Sequence, residues 1–148
     1  MISNPAGKTE RLPDHQMTMR VYYEDTDAAG IVYYANYLKF AERARTEMLR
    51  EFGTKAGFQR ADAGVTFVVQ RCNVEYRRSA KLDDLIDVHT HIVRVGAASL
   101  ALRQDVHRDD TLLVSMEVRL ALVDREMKPA RLPPVLIAAL TPQYKVGT

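Results

Sequence analysis

The chain has 148 residues, 21 of them Lys or Arg and 19 Asp or Glu, for a formal net charge of +2; a single domain of that length buries about 68–70% of its unfolded surface, enough for one well-formed core. The charges are too balanced for a nucleic-acid binder, with no run of five like charges and no basic–aromatic interleaving. No apolar stretch approaches the roughly 18 residues of a membrane span, and Met1-Ile2-Ser3-Asn4-Pro5-Ala6-Gly7-Lys8 lacks the apolar centre of a signal peptide, so a cytoplasmic protein is expected.

Residues 1–16, with Pro5, Gly7 and Pro13 among polar groups, are expected to form a mobile arm ahead of one domain over 17–148. Residues 17–23 alternate, with Met17, Met19, Val21 and Tyr23 on one face and Thr18, Arg20 and Tyr22 on the other, which predicts a strand. A turn rich in acids and small residues follows, where Gly30 relaxes the steric limits and lets the backbone approach a ligand. Leu38, Ala41, Ala44, Arg45, Met48, Leu49 and Phe52 then recur at three and four residues. That spacing predicts a helix over 37–52, roughly 24 Å long, with Gly53 as its stop.

Four extended stretches come next, over residues 65–76, 85–95, 99–106 and 112–123, joined at 96–99 and 107–111 by short connections that suit consecutive antiparallel pairing. Cys72 is the only cysteine, so no intrachain disulfide can form, and its place in an alternating strand predicts a buried, inert thiol. In the last stretch Leu112, Val114, Met116, Val118, Leu120 and Leu122 make an apolar face for the helix, while Ser115, Glu117 and Arg119 point away. Pro133-Pro134 precede a short helix over 135–140. The fold class is α+β, an antiparallel sheet wrapped around one long central helix.

Asp27 sits on the loop beside the helix start, so a carboxylate and unpaired backbone N–H groups face one small space. That is the minimum equipment for attacking a carbonyl. An unperturbed Asp, with a pKa of about 3.9, is ionised at neutral pH. It can attack a thioester directly or deprotonate water. Capping and turn formation are the commoner use of such acids by spacing alone, and Asp25 is assigned to them. His89 and His91 share a strand face at a spacing that can bind metal, but no third ligand is evident, so no metal is expected.

The run Asp25-Thr26-Asp27-Ala28-Ala29-Gly30-Ile31-Val32-Tyr33-Tyr34-Ala35-Asn36-Tyr37 strongly resembles the opening motif of hotdog-fold acyl-CoA thioesterases of the 4-hydroxybenzoyl-CoA thioesterase type. Glu42-Arg43-Ala44-Arg45-Thr46-Glu47-Met48-Leu49 is most similar to the branch associated with the Tol–Pal envelope system, and with Phe67-Val68-Val69, Val74-Glu75-Tyr76-Arg77-Arg78 and Leu82-Asp83-Asp84 the likeness covers most of residues 17–125. The resemblance implies a hotdog fold, Asp27 as the catalytic acid, and the backbone N–H of Tyr34 as the donor that polarises the thioester carbonyl. It implies further that Gly30, Ile31, Val32, Tyr33, Asn36 and Tyr37 border the substrate. Position 34 is often His in the Tol–Pal branch and Tyr in the hydroxybenzoyl branch; Tyr34 leaves the main-chain donor intact.

Coenzyme A enters as part of the substrate, with no separate cofactor, and its phosphates call for Arg, whose planar fork matches them. Arg77-Arg78 follow one strand and Arg94 precedes the tip between two others; the family places carrier contacts around comparable loops, and Arg94 and Ser99 are the expected ones. The resemblance implies a homodimer or a dimer of dimers with shared active sites, and acyl-CoA or acyl carrier protein as the acyl donor. Two other classes stay open. A hotdog hydratase or dehydratase would carry a His near the helix, often five residues after the Asp, but position 32 is Val and the histidines are at 15, 89, 91 and 107. A non-catalytic acyl-carrier-binding module would lack activity on free acyl-CoA.

Overall fold

The computed structural model describes residues 11–55 and 64–141. The strands are β1 (His15–Arg20), β2 (Thr66–Tyr76), β3 (Leu85–Val95), β4 (Ser99–Arg108) and β5 (Thr111–Val123); the helices are α1 (Asn36–Lys55) and α2 (Pro134–Leu140). All strands pair antiparallel in one sheet of order β1-β3-β4-β5-β2. Helix α1 lies against β1, β3, β4 and α2, so the sheet wraps it in the hotdog manner. Phe40, Ala41, Ala44, Met48 and Phe52 line its inner face and meet Ile86, Val88, Ile92, Leu102 and Met116 in one core. Burying side chains of the Leu, Phe and Met type contributes about 1.5–3 kcal/mol each, far more than intrinsic helix preference.

That difference explains the first departure from expectation. Helix α1 does not stop at Gly53 but continues to Lys55 with Gly53 buried, because the packing of Leu49 and Phe52 outweighs the ~1 kcal/mol that a helical glycine costs. At the other end, residues 11–16 are not a loose arm. The Asp14 N–H donates to Thr90 O (2.9 Å), its carboxylate accepts the Ile92 N–H (2.6 Å), and Arg11 bonds both Asp14 (2.9 Å) and Ile92 O (2.8 Å). Strand β1 accordingly begins at His15, while the first ten residues of the expected arm lie outside the described ones. Tyr23 falls beyond β1 in a 3-10 turn, Tyr23–Asp25, and is exposed.

Cys72 is exposed, contrary to expectation. Strand β2 is a sheet edge that pairs, among the described residues, with β5 alone; Phe67 and Val74 on it are half-buried against the core, but its middle, where Cys72 lies, is exposed. The sheet has a second edge at β1, and β3, β4 and β5 pair consecutively across the short connections as expected; β2 alone departs from chain order, crossing to β5, and the segment after it returns to the far side of the sheet. In β5 the register shift between Val106 and His107 changes the expected apolar face. Leu113 is fully buried, and Leu112 only partly.

His91 points to the outer face of the sheet yet is only 6% exposed, and burial together with the Arg103 charge pushes its pKa down to about 4. Below its ordinary 6.5 the unfolded chain gains a proton that the folded chain resists until about pH 4. The stability contributed by the neutral imidazole is therefore whole above that window and is lost as pH falls through it. We expect the thermal midpoint of His91→Gln to fall less than that of the parent over the same interval; parallel curves would show that His91 does not set the acid limb.

Candidate active site

The site is built where the chain leaves β1 and approaches α1. The Val21 N–H donates to Asp84 O (2.9 Å), which ties the end of β1 to the loop before β3. The Asp25 carboxylate accepts the Tyr22 N–H (2.8 Å), and its backbone carbonyl accepts both the Tyr33 N–H (3.0 Å) and Asn36 Nδ2 (2.9 Å). Asp25 is thus a buried structural acid. Asn36 spends its side chain on the same tie.

Asp27 opens a tight turn in which Gly30 N–H donates to Asp27 O (3.0 Å) and Ala29 N–H to Asp27 Oδ1 (2.9 Å). Gly30 closes it at φ +79°, and a Cβ there would meet nothing within 4 Å. Conformation rather than crowding therefore requires glycine. The chain then bridges Thr26 to Val32 and Ile31 to Lys81, and the Val32 N–H donates to Ala80 O (2.9 Å). Because this bridged segment separates the turn from α1, the helix start lies at Tyr34 to Asn36.

At that start the Tyr33 N–H is spent on Asp25, and the Asn36 N–H donates to Tyr33 O (2.8 Å). The N–H groups of Tyr34 and Ala35 make no backbone hydrogen bond among the described residues. Two consecutive donors are left at the positive end of the helix dipole.

An open cavity of about 260 Å³ joins these parts, lined by Asp27, Ile31, Val32, Tyr34, Tyr37, Tyr76, Arg77, Arg78 and Ser79. Of the residues expected from the sequence, Asp27, Ile31, Val32, Tyr34 and Tyr37 therefore meet here. Gly30 and Asn36 shape the backbone beside it, and Tyr33 packs its ring on Tyr34 at 4.9 Å. Tyr37 is buried; its hydroxyl accepts the Ala80 N–H (2.9 Å), and burial raises its pKa, which keeps the phenol neutral.

Arg94 and Ser99 do not reach this cavity within one chain. They flank the β3–β4 hairpin, whereas the cavity lies by the Leu85 end of β3, roughly 30 Å away at about 3.3 Å per residue. The cations on the cavity are Arg77 and Arg78 instead. Both of their N–H groups donate to Leu113 O, at 2.8 and 3.0 Å. The loop beyond them is anchored by Arg108, which reaches Asp84 (2.8 Å) and Ser79 O (3.2 Å). Burial works to raise the Asp84 carboxyl, but the Lys81 N–H and the Arg108 guanidinium outweigh it and hold the pKa below the ordinary value. The doubled arginine at the end of a strand was a visible signal for these residues; their nearness to Asp27 depends on the long-range Ile31–Lys81 bridge.

Comparison with known proteins gives a concordant picture. The family model described as the thioesterase-like superfamily matches residues 21–140. The acyl-CoA thioester hydrolase YbgC of Escherichia coli is 45% identical over 122 residues, spanning 81% of this chain and 90% of that protein. The acyl-CoA thioesterase YbgC of Haemophilus influenzae is 42% identical over 82% of this chain and 90% of its own length. Among solved structures, a probable thioesterase from Bartonella henselae superposes with a TM-score of 0.72 at 36% identity, covering 80% of this chain and 97% of that one.

Proposed function

The chain belongs to the thioesterase-like superfamily and is an acyl-CoA thioesterase, and we propose that it works through Asp27, with the helix-start N–H groups of Tyr34 and Ala35 as oxyanion donors. The observation that carries this reading is that one carboxylate and the segment bearing two unpaired N–H groups border one cavity. The thioester carbonyl would sit at the helix start, where its oxygen gains negative charge as the carbon is attacked. Asp27 supplies the attack, either with its own oxygen or by taking a proton from water, and the thiolate of the carrier departs. Ile31, Val32, Tyr34, Tyr37 and Tyr76 give the acyl group an apolar and aromatic wall. Val32 stands where a hydratase of this fold would carry its His, which favours hydrolysis over hydration.

Arg77 and Arg78 are the cations nearest to a thioester held in this way, and we assign them to the phosphates of coenzyme A. Free acyl-CoA, rather than acyl carrier protein, is then the donor, and that substrate argues for a cytoplasmic enzyme; no helix among the described residues is long and apolar enough to cross a membrane. A hydrolysis screen of the purified chain across acyl-CoAs of varied length, straight-chain and aromatic, beside one acylated carrier protein, tests this assignment. Turnover of acylated carrier protein with none of free acyl-CoA would overturn it.

Assembly follows from the uncovered edge. Strand β2 offers eleven residues with one side unpaired, and Val69 and Tyr76 on it are 51% and 44% exposed. A second copy adding its own β2 would cover them, with a dimer as the basic unit and Arg94 reaching a site from the partner. Light scattering should then give at least a dimer at micromolar concentration, and mixing an Asp27→Asn chain with an Arg94→Ala chain should restore activity above either alone. A fully active monomer would sink the shared site, and a dimer without complementation would sink the role of Arg94.

A further inference from the structure

The mechanism needs the two helix-start donors aimed at one point before substrate arrives, and a free N–H at the end of a loop is not aimed by itself. A peptide group is planar and trans, so a bond that holds its carbonyl also sets the direction of the N–H on the other side. The Tyr33 carbonyl is held by the Asn36 N–H at 2.8 Å, which orients the N–H of Tyr34. Tyr34 lies two residues before α1, and the partner of its carbonyl comes from another element: the hydroxyl of Tyr76 donates to it at 3.1 Å.

We propose that Tyr76 is a positioning residue that aims and polarises the Ala35 N–H through the Tyr34 carbonyl, a role that rests on the reading of the Tyr34 and Ala35 N–H groups as oxyanion donors. Tyr76 is the last residue of β2, and the buried carbonyl of Leu113 takes the N–H groups of the next two residues. Its ring meets Tyr34 edge-on at 6.0 Å and Tyr37 at 5.9 Å. The hydroxyl is therefore delivered from a pinned strand end and a braced ring. Burial raises the Tyr76 pKa, so the group stays protonated and remains a donor. A hydrogen bond received by an amide oxygen also draws charge through the peptide and strengthens its N–H as a donor.

Tyr76→Phe keeps the ring and both aromatic contacts and removes only the hydroxyl. We expect kcat to fall about fivefold to tenfold, the size of one lost hydrogen bond, with KM within about twofold and an unchanged thermal midpoint. Isotope-edited infrared spectra of saturating benzoyl-CoA bound to Asp27→Asn supply the second readout. The thioester carbonyl stretch should lie below that of free benzoyl-CoA, and the downshift should shrink in Asp27→Asn/Tyr76→Phe. Equal downshifts with unchanged kcat would overturn the role of Tyr76, and so would a rise in KM with a lowered midpoint, which marks mere scaffolding. No downshift in either protein would instead overturn the oxyanion reading itself.

Discussion

Asp27→Asn is expected to lower kcat for acyl-CoA by roughly 10²–10⁴-fold, the range a positioned base or nucleophile supplies, and to leave the thermal midpoint in place. The substitution is narrow. The side-chain oxygen that accepts the Ala29 N–H has an equivalent in the amide, so the turn closed by Gly30 survives while the charge and the attacking oxygen are lost. Asp25 is the internal contrast, since its carboxylate is already spent on the Tyr22 N–H and its backbone on the entry to α1. Asp25→Asn should act chiefly on stability. Near-normal turnover by a folded Asp27→Asn protein would remove the carboxylate from the mechanism. Label from heavy-oxygen water in the Asp27 carboxylate after a single turnover would mark the mixed-anhydride route.

The run from Asp25 to Tyr37 was legible because its meaning is local: a turn, a glycine and a helix start are fixed by neighbours in sequence. The same holds for the strands, whose alternation survives in β3 and β4 as buried Ile86, Val88, Ile92, Leu100 and Leu102. What alternation cannot carry is where a strand lies in the sheet. Cys72 reads like a buried residue and is exposed, because β2 forms an edge whose middle is open. Leu113 reads like an outward residue and is buried, because a register shift moves the phase of β5 by one. Which cations border the cavity within one chain is hidden for a related reason. Arg94 and Arg78 are equally plausible in sequence, and only the crossing from β2 to the start of β3, bridged at Ile31 and Lys81, brings one of them beside Asp27. The stop expected at Gly53 shows local preference yielding to packing.

Gln104→Ala is expected to cost about 2–4 kcal/mol of stability, lowering the thermal midpoint by roughly 5–12 °C. Gln104 is fully buried on β4, opposite the equally buried Thr90 of β3, on the surface that holds α1. Its amide donates to Ala41 O and to Thr90 Oγ1, both at 3.0 Å, and its oxygen accepts from Arg45 at 3.1 Å. Two partners on the helix and one on β3 are thus joined through a single side chain. Truncation leaves a cavity, a buried hydroxyl and a guanidinium whose pKa burial already lowers. Gln104→Leu restores volume but not partners, so it should recover only the cavity part of the loss; adding Thr90→Val should then recover more, because removing both ends of a buried hydrogen bond costs less than removing one. The helix held here is the one whose start the Tyr34 and Ala35 N–H groups immediately precede. Activity measured against temperature should therefore fail at the lowered midpoint in Gln104→Ala while kcat well below it stays close to the parent. A midpoint within a degree or so of the parent would show that the apolar contacts of Phe40, Met48 and Phe52 alone hold α1 in register.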